Sequence, residues 1–510
     1  MKKISLFIVI ILLNSCSSSI SPYFESNKYI NEDNWVINDN LQFSHESYGD
    51  VNFLKDKSSL KRHLKTAKFH YDNILVYGKT WIDPIYEYYI LVDSKKTLNK
   101  SADYFQKDTL INNHKFTFIG IPLDKHNPAD DFNKLSKKIT SGTDYTKKLP
   151  SLFDIIRSNK SSNQFLKGLT EFNNYPSHTK AENWNKLQMQ LTFASFLGQN
   201  NTYNKLIKQW SPNKTNDTIA ALIKQKSING LQDVEREILE IAKDEKIIMF
   251  NENHFYPNHR ILVTQLLPDL KKAGFNYIAL ETLAEKQDSI LNNGGKLDME
   301  SGFYTREQHF AELIRTAQEL GFHFVTYENF EKVKDRETSQ ADNLYNATFA
   351  KDSNARVLVL AGISHIMEEP DSNEKKWMAA LFKEKYGINT ITFSQTDLNS
   401  YSNLTESVTL LKSVDLDKKY QTTDYKIINN LPFKENKGNF SYKNNHSKNV
   451  QATLYFDEEL LKSTDYSKKV PYRCYLLEKN ETFSMTLSNS KMRLMVFDED
   501  GKMLENKIVN

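Results

Sequence analysis

Between positions 246 and 395 the chain repeats one pattern, a short apolar run that stops on a polar or ionisable residue. Residues 246–251 run into Glu252-Asn253-His254, 275–280 into Glu281, 322–327 into Glu328, 356–364 into His365 and 389–394 into Gln395. Runs this short and this apolar read as strands buried on both faces, the habit of parallel sheets. Helical periodicity fills the gaps over 260–273, 306–320, 336–350 and 374–386, with Pro268 expected to kink or interrupt the first helix. Gly274, Gly321 and Gly387 each fall just past a helix, where a left-handed residue ends it. Strand, helix, glycine, strand specifies an α/β fold with right-handed crossovers and a parallel sheet. Ligands of such sheets collect beyond the carboxyl ends of the strands, so the carboxylates and imidazoles are expected along one edge.

Around this 246–430 core the pattern changes. Residues 31–147 read as a small mixed α/β domain, with strands near 73–77, 86–92 and 116–121 and a helical or turn piece over 60–67. Residues 148–245 carry helical stripes, the last made by Val234, Ile238 and Ile241. Residues 431–510 are β-rich, and Asp500-Gly501 marks a hairpin, so a small β-sandwich or appended sheet is expected there.

A net charge of +3 with scattered lysines points away from a nucleic-acid partner. The amino terminus looks like an address. Lys2 and Lys3 precede an apolar stretch, Ile4–Leu13, too short to span a bilayer as a mature helix. Leu13-Asn14-Ser15-Cys16 resembles the bacterial lipobox. That resemblance implies a signal peptide over 1–15, lipidation (palmitate among the acyl groups) of Cys16, a tether over 16–30, and a membrane partner through the lipid. The expected place is the cell envelope, on the outer membrane facing the periplasm. Cys474, the other of the two cysteines, sits in an apolar alternation and reads as a packed thiol.

Alternation puts Glu252 and His254 on one face of their strand end, and the following helix start offers unpaired N–H groups. His259 opens that helix, as a supporting or simply structural residue. Arg336 opens another, placed either to reach the same edge or to pair with Asp335 or Glu337 in solvent. Glu328 reads as structural or as a pocket residue, and Gln395 as a supporting one. His309 and His323 read as packed histidines. Tyr256, Tyr304 and Tyr327 read as packing, with a pocket role open.

Taken in order, several pieces resemble the superfamily of erythromycin esterases, ChaN-like haem-uptake lipoproteins and Tiki/TraB proteins. They are Glu252-Asn-His254 with Pro257-Asn-His259, Ala279-Leu-Glu281, Arg336-Glu with Gln340-Ala-Asp-Asn343, and Gly362-Ile-Ser-His365. One position departs: members usually carry Gly before the first Glu, and here Asn251 stands. The resemblance implies a shared fold with diverse outcomes. As a metal-free hydrolase of an ester or amide, the chain would use His254 as base, Glu252 or Glu281 to orient it, and Arg336 with His365 to steady an oxyanion. As a metal hydrolase it would hold a divalent ion (zinc, manganese or iron) on His254, Glu281 and His365. As a ChaN-like lipoprotein it would bind haem without catalysis, through a tyrosine or histidine on an apolar surface.

Overall fold

The computed structural model describes residues 163–510 apart from 176–179, 215, 331–334, 372, 436, 462–464 and 488–490, together with four helical positions between 152 and 159 and the backbone of seven strands between 35 and 122. The expected signal peptide, Cys16 and the 60–67 segment lie outside the described residues. The chain divides into two compact units, residues 1–152 with 174–188, and residues 153–173 with 189–510.

In the first unit, β1 (Trp35–Ile37), β2 (Phe43–His45) and β3 (Gly49–Val51) form an antiparallel sheet. A second antiparallel sheet has the order β4 (Asn73–Ile82), β5 (Ile85–Asp93), β7 (His114–Pro122), β6 (Phe105–Ile111).

The second unit is built on an eight-stranded mixed sheet. Its strands are β8 (Ile228–Asn229), β9 (Ile247–Glu252), β10 (Tyr277–Leu280), β11 (His323–Val325), β12 (Val357–Gly362), β13 (Ile391–Ser394), β14 (Val408–Lys412) and β15 (Tyr425–Asn429), in the order β11-β10-β12-β9-β13-β15-β14-β8. The run from β11 to β15 is parallel, as the sequence predicts. β14 is antiparallel to both its neighbours, an edge that the repeat does not announce.

Pleating explains the unbroken apolar runs. Ile248 and Phe250 pack with helices Leu231–Ala242, Pro257–Lys272 and Gln308–Glu319 on one face. Ile247 and Met249 pack with helices Arg336–Ala347 and Met378–Tyr386 on the other. Both faces are covered, so neither can carry polar alternation. From β9 the chain moves past the place of β12 to β10 and β11, returns to β12, then crosses to β13. That reversal puts the ends of β10, β12 and β9 side by side, with Glu252 in register with Gly362.

Pro268 does not interrupt its helix, which runs through it from Pro257 to Lys272. Leu262, Val263, Leu266, Leu267 and Leu270 are all buried along that helix. At roughly 1.5–3 kcal/mol each, their burial outweighs the ~3 kcal/mol an interior proline costs. Gly387 has φ +65° and closes its helix with an N–H on the Lys383 carbonyl, as its position predicts.

The β-rich end forms a four-stranded antiparallel sheet in the order β18 (Arg473–Leu477), β17 (Val450–Phe456), β20 (Met492–Asp498), β21 (Met503–Val509), and a pair, β16 (Phe440–Lys443) with β19 (Thr482–Met485). Gly501, at φ +80°, turns the expected hairpin between β20 and β21.

Candidate active site

Two groups of charged side chains stand at the adjoining strand ends. The first is built on Glu252, the last residue of β9, which is buried. His254 Nδ1 lies 2.7 Å from Glu252 Oε1, and Arg260, one turn into the next helix, donates Nε to Oε2 at 2.6 Å. Arg260 Nη1 donates to Glu307 Oε2 at 2.9 Å, and Nη2 to the His254 carbonyl at 3.1 Å. Glu307 caps the Gln308–Glu319 helix, accepting the N–H groups of His309 and Phe310. Burial pushes the Glu252 carboxyl up, but the Arg260 charge and the His254 hydrogen bond outweigh it and hold it at about 2. The His254 ring stacks on Tyr304 with centroids 3.9 Å apart, and 30% of its side chain is exposed. Among the described residues Nε2 of His254 has no hydrogen-bond partner.

The second group centres on Arg336, the first residue of its helix, whose N-cap Asp335 takes the N–H groups of Glu337 and Thr338. Arg336 Nη2 binds Glu281, and Nε donates to both oxygens of Glu328 at 3.0 and 3.1 Å. His365 Nδ1 lies 2.7 Å from Glu337 Oε2, and its Nε2 stands 3.3 Å from Glu281 Oε1 and 2.9 Å from Arg336 Nη1. Nε2 therefore faces an acceptor and a donor, and its proton decides between them. Burial pushes the His365 imidazole down, but Glu281 and Glu337 prevail and raise it to about 9, which favours the proton and the Glu281 bond. Burial also pushes Glu281 up, yet His365, His254 and Arg336 together hold it well below the usual carboxylate range.

The two groups adjoin through the sheet, because Glu252 is in register with Gly362 and Gly362 bonds Glu281. Gly362 makes the approach possible: a Cβ there would meet Glu281 Oε2 at 3.0 Å, and its N–H donates to that same oxygen. Tyr304, between the groups, keeps its hydroxyl protonated: burial and the charges of Glu252 and Glu281 push it up to about 12. That hydroxyl has no hydrogen-bond partner among the described residues.

The other expected residues have structural places. Asn251 replaces the missing glycine with a clamp, donating to the Ile363 carbonyl (2.8 Å), Ser394 Oγ (3.2 Å) and Thr396 Oγ1 (2.9 Å). Gln395 is fully buried and ties the Asn251 and His259 carbonyls at 3.0 and 3.2 Å, so it supports the β9 turn from behind. His259 accepts the Asn253 N–H, and burial pushes it down to about 3, so it stays neutral. His309 is packed as expected, whereas His323 is exposed at the sheet edge against Tyr277. Cys474 is buried, as expected. Sequence reasoning missed Arg260 and Glu307, and named Glu337 only as one alternative partner of Arg336 in solvent, whereas it holds His365.

The sequence also offers His254, Glu281 and His365 as metal ligands. Among the described residues no group of three or more His, Cys, Asp or Glu side chains could hold a metal ion. The Arg336 guanidinium lies between the donors instead, and Glu337 takes the second nitrogen of His365. The three tyrosines have packed places. Tyr327 is buried with its hydroxyl on the Leu360 carbonyl, Tyr256 stacks on His259, and Tyr304 lies on His254.

No protein-family model matches the chain, and neither does any curated protein. Solved structures offer remote fold likenesses. The type III effector HopBA1 aligns with 11% identity and TM-score 0.26, over 38% of this chain and 91% of its own. ChaN of Campylobacter jejuni, in a structure of cofacial haem binding, aligns with 12% identity and TM-score 0.23, over 40% and 97%. RRSP, a MARTX toxin effector domain from Vibrio vulnificus, aligns with 14% identity and TM-score 0.24, over 42% and 45%. Likenesses this remote concern the fold alone.

Proposed function

We propose that the chain is a hydrolase of an ester or amide bond that works through His254 without a metal. The observation that carries this reading is the His254 ring itself, with Nδ1 held by a buried carboxylate and Nε2 without a partner among the described residues. Glu252 fixes the Nδ1–H tautomer, which leaves the Nε2 lone pair to take a proton from water. The hydroxide adds to the carbonyl carbon, and the imidazolium returns the proton to the departing oxygen or nitrogen. Two donors are left for the oxyanion. A guanidinium has five N–H groups, and Arg336 spends three on Glu281 and Glu328, keeping both on Nη1 because the protonated Nε2 of His365 cannot accept from it. The Tyr304 hydroxyl is the second. His365 keeps positive charge beside them near neutral pH.

The proposal includes an address: lipid on Cys16 anchors the chain to the outer membrane, facing the periplasm. Its support is the Leu13–Cys16 motif behind a short apolar run. A Cys16→Ser variant that still fractionates with membranes would remove it.

The test of the activity is turnover of a panel of esters, amides and peptides by the full chain. His254→Ala and His365→Ala, with folding checked by circular dichroism, are each expected to lose about 10²–10⁴ in kcat/KM. Undiminished turnover in both variants overturns the reading.

A further inference from the structure

A cleft of about 430 Å³ opens at the end of β11. Glu328, which also binds Arg336, belongs to its wall, so the cleft adjoins the site described above. Its lining mixes unspent polar groups with one exposed ring. Ser339 and Asn346 make no side-chain hydrogen bond among the described residues. Asn343 spends only its Nδ2, on the Tyr327 and Glu328 carbonyls, and keeps Oδ1. Phe330 is 38% exposed beside them, where a buried position would be the rule for its type.

Charge narrows what fits. Four carboxylates line the cleft against one cation, Lys286, which disfavours phosphates and other anions. Yet three of those carboxylates already have cationic partners, Glu285 in Lys286, Asp342 in Lys385 and Glu328 in Arg336. Little uncompensated charge remains to hold a strong cation. What remains is a set of amides, a hydroxyl and carboxylate oxygens around an aromatic face. A neutral polyhydroxylated ring meets all of these: its hydroxyls donate to carboxylates, accept from amides, and its C–H face lies on an aromatic ring.

We infer that the cleft binds a saccharide, the non-reacting part of a substrate whose ester or amide is cut at His254. The second half of that statement rests on the hydrolytic reading; the first does not.

Calorimetric titration of the full chain with cellotriose, maltotriose, mannotriose and chitotriose tests it, with trilysine as the cationic rival. At least one trisaccharide is expected to bind, and Phe330→Ala and Asn346→Ala are each expected to weaken it about ten-fold. His254→Ala should bind the same sugar while losing turnover. No binding by any trisaccharide, binding of trilysine alone, or sugar binding indifferent to both cleft variants overturns the inference. Sugar binding without hydrolysis of any acylated sugar would instead leave the cleft assigned and the catalytic reading overturned.

Discussion

Arg260 Nη1 lies 2.9 Å from Glu307 Oε2, and neither side chain is exposed to solvent. The pair joins the helix that follows β9 to the cap of the Gln308–Glu319 helix, and Arg260 passes the same charge on to Glu252. Arg260→Met strands two buried carboxylates and is expected to destabilise the fold by about 3–5 kcal/mol in urea unfolding. Adding Glu307→Gln should cost less than the two single changes together, because one stranded charge is gone. Additive losses would mean that the two side chains do not depend on each other.

Glu252 does for His254 what a triad carboxylate does for its histidine. Glu252→Gln keeps the shape but not the charge, and the amide is able to donate toward Nδ1 and favour the other tautomer. A fall of about 10²–10⁴ in kcat with little change in KM is expected. A change confined to KM would assign Glu252 to substrate binding.

Stability should fall off on both sides of neutrality, for different groups. Glu252 is held at about 2 against an ordinary 4.5, so its contribution is complete above pH 4.5 and is lost as pH falls toward 2. His365 is raised to about 9 against an ordinary 6.5, so its contribution is complete below pH 6.5 and is lost as pH rises through 9. Each slope should amount to about 1–3 kcal/mol. Urea unfolding across pH should show the alkaline slope flattened in His365→Gln. A variant curve parallel to that of the unchanged protein would sink the assignment.

Gly362 is constrained by its neighbour more than by its backbone. Gly362→Ala pushes on the Glu281 carboxylate, and Glu281 is what Arg336 and His365 share. Turnover is expected to fall about ten-fold or more while stability changes by about 1–3 kcal/mol, the cost of crowding a packed site. Unchanged kinetics would show that Glu281 yields freely.

Dialysis against a chelator should leave turnover within about two-fold, since Arg336 supplies the positive charge that a metal would otherwise bring. Loss of activity restored by zinc or manganese would contradict the metal-free route.

The strand ends were legible because both faces of the sheet are covered. Residues such as Ile247–Phe250 then have no polar positions, and the first polar residue marks where the strand leaves the core. Glu252, Glu281 and His365 follow directly from that. Arg260 and Glu307 were not legible. A charge on a helical segment reads as surface, and only tertiary packing brings those two together inside. Arg336 was found, but its pairing was not, because Glu281 reaches it from a strand end 55 residues away in the chain and Glu328 from the loop that precedes its helix. The β14 edge was missed for a similar reason: Val408–Lys412 lacks the strand-then-helix rhythm of the rest.

Gln308 meets the backbone of Cys474 from both sides of its amide, Nε2 on the carbonyl at 2.9 Å and Oε1 under the N–H at 3.2 Å. It is the neighbour of Glu307 in the chain, so the last eighty residues grip the helix whose cap steadies Arg260. A truncation near 430 would strip Gln308 of both partners and loosen the helix start on which Glu307 holds Arg260.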